Sequence, residues 1–150
     1  MKRFLLFILP VIIIVAGCQT DDSSTGITEI SSEHAPEAIG PYSQAILYGD
    51  MLFLSGQIPM DPETGEISDG DIAAQTRIVL DNLEAVLIEA GMDLNNVVKT
   101  SVYLTNLDHF DDMNQQYSEY FDHPAPARET VEVSRLPGDV DIEISAIAVK

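Results

Sequence analysis

Ala45-Ile46-Leu47-Tyr48-Gly49-Asp50-Met51-Leu52-Phe53-Leu54 is the stretch that decides the fold class. Two short apolar runs joined by a two-residue Gly-Asp link form the pattern of a tight β-hairpin. Downstream, Pro59, Pro62 and Gly65 mark a loop with a turn over Asp61-Pro62-Glu63-Thr64-Gly65. Asp69 to Asp71 offers a helix N-cap. Ile72, Thr76, Val79, Leu80, Leu83, Val86, Leu87 and Ala90 then recur at helical spacing, and Gly91 stands just past the end. Val97 to Leu104 alternates and is rich in β-branched residues, which predicts a strand. Asn106 or Asp108 caps a second helix with Leu107, Phe110, Met113, Tyr117, Tyr120 and Phe121 on one stripe, stopped by Pro124 and Pro126. Glu129 to Val133 and Ile142 to Val149 read as the last strands, around a turn at Leu136-Pro137-Gly138-Asp139. The order β-β-α-β-α-β-β predicts an α+β domain with a five- to six-stranded sheet. Two helices cover only one face of such a sheet, so the other face calls for a homo-oligomer.

Composition narrows the function. The 150 residues carry 7 Lys plus Arg against 25 Asp plus Glu, a formal charge of −18. Nucleic-acid binding through a phosphate-tracking surface needs clustered cations and is disfavoured. One cysteine excludes an internal disulfide framework and a multi-thiolate zinc site. The three histidines, His34, His109 and His123, lack the spacing of a zinc hydrolase. There is no Gly-x-Ser-x-Gly elbow and no glycine-rich phosphate loop.

The N-terminus reads as an address. Lys2 and Arg3 precede an apolar run from Phe4 to Gly17, too short for the roughly 20 residues of a spanning helix. The run ends Val15-Ala16-Gly17-Cys18, which resembles a bacterial lipobox, in which the Cys is lipidated and the chain is cleaved before it. This predicts residues 1–17 as a lipoprotein signal peptide, 18–31 as the lipidated Cys18 and a flexible tether, and 32–150 as the folded domain. The domain then faces outside the cytoplasm in a bacterial cell envelope, touching the membrane through its lipid alone. The domain also lacks a thiol, which excludes a Cys nucleophile.

Cations are rare enough to be informative. After the signal only Arg77, Lys99, Arg128, Arg135 and Lys150 remain. Arg128 follows Pro124-Ala125-Pro126-Ala127, where prolines hold the chain extended into a strand. A guanidinium fixed there suits bidentate binding of a small carboxylate, and equally an Arg–Glu surface pair. Glu143 alternates with Ile142 and Ile144, so it points to the face shared with Ser145, Ile147 and Val149. A carboxylate on so apolar a strand either pairs with a cation or has a raised pKa. Periodicity alone does not bring Arg128 and Glu143 together.

Several strings in register carry a resemblance. Ala38-Ile39-Gly40-Pro41-Tyr42-Ser43-Gln44-Ala45, Leu54-Ser55-Gly56-Gln57-Ile58-Pro59, Gln75-Thr76-Arg77 and Leu80-Asp81-Asn82-Leu83 resemble the RidA/YjgF family of reactive-intermediate deaminases. Val98 to Leu104, Asn114 to Phe121, Pro126-Ala127-Arg128, Val131-Glu132-Val133, Arg135-Leu136-Pro137 and Ile142-Glu143-Ile144 continue the match to the end of the chain. The resemblance implies a chorismate-mutase-like fold, a mixed sheet with two helices on one face, and a homotrimeric barrel with active sites between subunits. It implies hydrolysis of enamine or 2-imino acids to 2-keto acids and ammonia, as by a 2-iminobutanoate/2-iminopropanoate deaminase, without metal or organic cofactor. Arg128 would hold the substrate carboxylate. Glu143 would position the attacking water at the imine carbon or exchange a proton with it. Tyr42 and Asn114 would line the pocket, and Gly56 would let backbone approach the ligand. Thr130 stands where many members carry a Cys. The competing expectation is a non-catalytic carboxylate-binding module or a chaperone-like surface protein of the same fold. Ribonuclease activity, ascribed to some relatives, fits poorly with the charge.

Overall fold

The structure is a computed structural model that describes residues 26–150. The expected signal peptide, Cys18 and most of the expected tether lie outside the described residues. Six strands form one sheet: β1 (Ile27–Ile30), β2 (Ala45–Tyr48), β3 (Met51–Gln57), β4 (Val97–Leu104), β5 (Ala127–Glu132) and β6 (Ile142–Val149), in the spatial order β1-β2-β3-β6-β4-β5. All neighbours are antiparallel except β4 and β5. Two helices, α1 (Ile72–Glu89) and α2 (Phe110–Tyr117), pack on one face.

The hairpin forms as expected, with Tyr48 opposite Met51 and Gly49 at φ +58° in the turn. Every stripe residue expected on α1 is buried, and Val79, Leu80, Val86 and Leu87 are inaccessible. Asp71 caps the helix by accepting from the Ala74 N–H at 2.9 Å, and Gly91 follows its end at φ +69°. The stripe packs onto Leu52, Leu54, Val102, Leu104, Ile142, Ile144, Ala146 and Ala148, the inward residues of three central strands.

Three boundaries differ from the sequence reading. Ile27–Ile30, assigned there to the tether, forms β1, whose four residues pair with β2 from Ile27 opposite Tyr48 to Ile30 opposite Ala45. This strand is an exposed edge held by backbone pairing, so it leaves little apolar pattern to read. Helix α2 ends at Tyr117, before the prolines. There the chain tightens into three-residue bonds, from Glu119 to Gln116 and from Tyr120 to Tyr117, both 3.2 Å. Strand β5 begins at Ala127, two residues earlier than expected, because parallel pairing with β4 opens at Lys99 opposite Ala127.

The face away from the helices carries Met51, Phe53 and Val131, each 39–44% exposed, beside Ser101, Ser145 and Ile147. Among the described residues nothing covers it. The open face thus mixes exposed apolar side chains with serines and the Lys99–Glu129 ion pair.

Candidate active site

Glu143 lies on that open face. Its neighbours Ile142 and Ile144 are inaccessible against the helices, so strand alternation turns Glu143 the other way, opposite Tyr103 on β4. The start of β6 is pinned just upstream. The Asp141 carboxylate accepts from Gln75 Nε2 of α1 and Thr105 Oγ1, each at 3.0 Å. A register shift in β3 between Leu54 and Gln57 then sets Gly56 beneath Glu143. A Cβ on Gly56 would lie 2.7 Å from Glu143 Cδ and 2.9 Å from its Cγ. The sequence reading gave Gly56 the task of letting backbone approach a ligand. What its missing side chain does here is make room for the Glu143 carboxyl group.

Glu143 borders a cavity of about 320 Å³ walled by Pro36, Ile39, Tyr42, Ile58, Met60 and Pro137. No cation lines it. Its outer wall is built by Gln44, which is 4% exposed. The Gln44 amide donates to the carbonyls of Ser32, Ala35 and Pro36 at 2.8–3.2 Å and accepts from the Ser32 N–H at 2.6 Å. The Tyr42 hydroxyl accepts from the Ile39 N–H at 3.3 Å. Burial beside these apolar groups pushes the Glu143 carboxyl above its ordinary value of 4.5. Among the described residues the carboxylate has no hydrogen-bond donor to oppose that shift.

Arg128 lies on the other face. It is opposite Thr100 in the parallel register and points toward α2. Its Nη2 donates to Asn114 Oδ1 at 2.6 Å. The guanidinium carbon stands 4.6 Å from the Tyr117 ring centre and 5.8 Å from that of Phe110. Among the described residues the ion pairs are Lys99 with Glu129 and Arg135 with Asp139, so Arg128 is not the Arg–Glu surface pair that the sequence left open. The Tyr117 hydroxyl shares a 2.7 Å hydrogen bond with Thr100 Oγ1. Burial raises its pKa against that bond and the Arg128 charge, which keeps it neutral. Thr130, two residues further along the same side of β5, has a buried hydroxyl without a partner among the described residues.

Two half-sites result. Glu143, Gly56 and Tyr42 share the cavity, whereas Arg128, Asn114 and Thr130 belong to the edge between β5 and α2. Within one chain the sheet separates Arg128 from Glu143. Sequence reasoning named residues of both halves but missed the cavity walls, Ile39, Ile58, Met60 and Pro137, and the aromatic faces of Phe110 and Tyr117. The walls come from loops without periodicity. The aromatic pair did leave a signal, since Phe110, Asn114 and Tyr117 are spaced i, i+4, i+7, but apolar spacing read as core. Among the described residues no cluster of three His, Cys, Asp or Glu is arranged to hold a metal.

A mixed sheet with both helices on one face and β6 inserted between β3 and β4 defines an α+β domain of the chorismate-mutase-like class. The family model described as Endoribonuclease L-PSP matches residues 32–150. A RutC family protein of Pyrococcus abyssi is 60% identical over 121 residues, covering 81% of this chain and 95% of that protein. The 2-iminobutanoate/2-iminopropanoate deaminase of Escherichia coli is 49% identical over 124 residues, covering 81% and 96%. Among solved structures, the YjgF gene product of E. coli superposes with a TM-score of 0.78 at 48% identity, covering 82% of this chain and 98% of that one. E. coli TdcF with bound serine superposes with a TM-score of 0.78 at 44% identity, covering 82% and 98%. The chain belongs to the RidA/YjgF family, in which imine deamination is an activity.

Proposed function

We propose that this protein hydrolyses 2-imino acids and their enamine tautomers to 2-keto acids and ammonia, outside the cytoplasm, at sites formed between protomers of a homotrimer. The observation that carries the reading is the division of the site. A guanidinium with no carboxylate partner and a carboxyl group with no hydrogen-bond donor, among the described residues, lie on opposite sides of one sheet. A second copy whose β5–α2 edge meets the open face of the first brings the two halves together.

The chemistry follows from the two halves. Arg128 holds the substrate carboxylate, and the imine carbon then lies toward Glu143 and Gly56. The substrate reacts as its N-protonated iminium form: Glu143 orients a water and takes one of its protons as the oxygen adds to the C=N carbon and the π electrons pass to nitrogen, giving a neutral carbinolamine. Glu143 returns that proton to the amine nitrogen; the C–N bond breaks as the hydroxyl oxygen forms the C=O bond, the hydroxyl proton passes to Glu143 and on to solvent, and ammonia leaves. A base whose pKa is raised toward the working pH suits both transfers. The extracytoplasmic location is supported by the lipobox string Val15-Ala16-Gly17-Cys18 alone.

The test uses the full chain purified in detergent, with 2-iminobutanoate generated by an amino acid oxidase. Accelerated 2-oxobutanoate formation, abolished in Arg128→Ala, is expected. Tight 2-oxobutanoate binding without turnover establishes the binding-module alternative instead. For the location, Cys18→Ser is expected to move the protein out of the membrane fraction; retention there sinks the lipid-anchor reading.

A further inference from the structure

Helix α2 presents three neutral side chains to Arg128. Phe110, Asn114 and Tyr117 are spaced so that they share one helical stripe. Asn114 takes one N–H of the guanidinium at 2.6 Å, and the two rings stand 4.6 Å and 5.8 Å from its carbon. Tyr117 is itself fixed by burial and by two contacts. It is 6% exposed, its hydroxyl is bonded to Thr100 at 2.7 Å, and its ring lies 4.6 Å from that of Phe121. Thr100 is also the register partner of Arg128 on β4. One point of the sheet thus locates both the ring and the guanidinium that it faces.

The choice of neutral partners has a consequence. A carboxylate partner would fix the planar fork but cancel its charge. A ring face fixes the plane and leaves the charge available to a ligand. Among the described residues, the other N–H donors of Arg128 meet no protein acceptor. We propose that Tyr117 is a positioning residue that sets the plane of the Arg128 guanidinium, with Phe110 as a weaker second wall, so that α2 and β5 form a preassembled carboxylate receptor. The inference rests on the reading of Arg128 as the carboxylate anchor.

The test measures 2-oxobutanoate affinity by calorimetry, and KM and kcat for 2-iminobutanoate, on the full chain. Tyr117→Leu is expected to weaken binding by about five- to thirtyfold, the range of a cation–ring contact as it is desolvated. KM rises by the same factor while kcat stays within about twofold, because ground state and transition state share the carboxylate contact. Tyr117→Phe keeps the ring and restores affinity to within about twofold. Phe110→Leu, at a residue 37% exposed, is safe for folding and is expected to weaken binding about twofold. Combined with Arg128→Leu, Tyr117→Leu adds no further loss. The inference is overturned if Tyr117→Leu binds like the parent, if Tyr117→Phe loses as much as Tyr117→Leu, or if the parent binds no 2-oxobutanoate. A parent that binds 2-oxobutanoate but turns over no imine removes the deaminase reading and leaves the receptor standing on the binding results.

Discussion

Replacing Gly56 by Ala adds one methyl group at the most crowded point of the cavity. Its carbon would lie 2.7 Å from Glu143 Cδ and 2.9 Å from Cγ. Comfortable carbon–carbon contact begins near ~3.5 Å, so one partner has to move. Stiffness decides which. The Gly56 backbone is held on one side by Ser55, whose hydroxyl donates to the Ser43 carbonyl at 2.7 Å, and on the other by Gln57 paired with Ile144. Glu143 is a flexible arm with no hydrogen bond among the described residues, so the carboxyl group swings away. Because a side-chain tip gives way rather than a packed core, the stability cost is about 1 kcal/mol, the low end for overpacking. That lowers Tm by roughly 3–5 °C for a domain of this size. Displacing a general acid–base group costs catalysis far more, on the order of 10²-fold or above. Thermal unfolding and kcat/KM for 2-iminobutanoate, measured on Gly56→Ala and parent together, check both numbers. A variant with parental kcat/KM would refute the reasoning, because the position of Glu143 would then not limit the reaction. A collapse of Tm would instead show that the backbone yields and the carboxyl group does not.

Burial raises the Glu143 pKa, so the folded chain binds more protons than the unfolded one between the ordinary value of 4.5 and the raised one. The stability Glu143 contributes is present below that window and is lost as pH rises through it. Glu143→Gln is expected to flatten this part of the Tm–pH curve; an unchanged curve argues against the shift. The same protonation removes the base, so the acid limb of kcat/KM is expected to fall above the ordinary glutamate range. Asn114→Asp sets a carboxylate where an amide oxygen now lies 2.6 Å from Arg128 Nη2, pairing the free guanidinium. Affinity for 2-oxobutanoate should drop about tenfold or more with Tm held or raised, and undiminished affinity in calorimetry counts against Arg128 as the anchor. Leu83, 1% exposed beneath the sheet, loses its packing in Leu83→Ala, at a cost of about 2–5 kcal/mol in denaturant unfolding without a direct effect on the site.

What was legible in the sequence follows from where periodicity is written. Helix α1 could be read almost residue by residue, because one face of it meets β3, β6 and α2 and each contact enforces an apolar choice. Strand β1 was not legible, because an edge strand is held by backbone pairing with β2 and asks little of its side chains. The candidate site divides the same way. Glu143 was legible as a misfit, a carboxylate alternating with isoleucines, and its outward direction followed from the pleat. Arg128 was legible as a rare cation at a strand start. Their separation by the sheet was not, since it depends on the parity of β5 against β4, and that parity is set by the pairing of Thr100 with Arg128. The same pairing explains why a single chain holds a receptor without a base on one side and a base without a receptor on the other. On the proposed function, a second copy whose β5–α2 edge meets the open face carrying Glu143 would join the two half-sites into one.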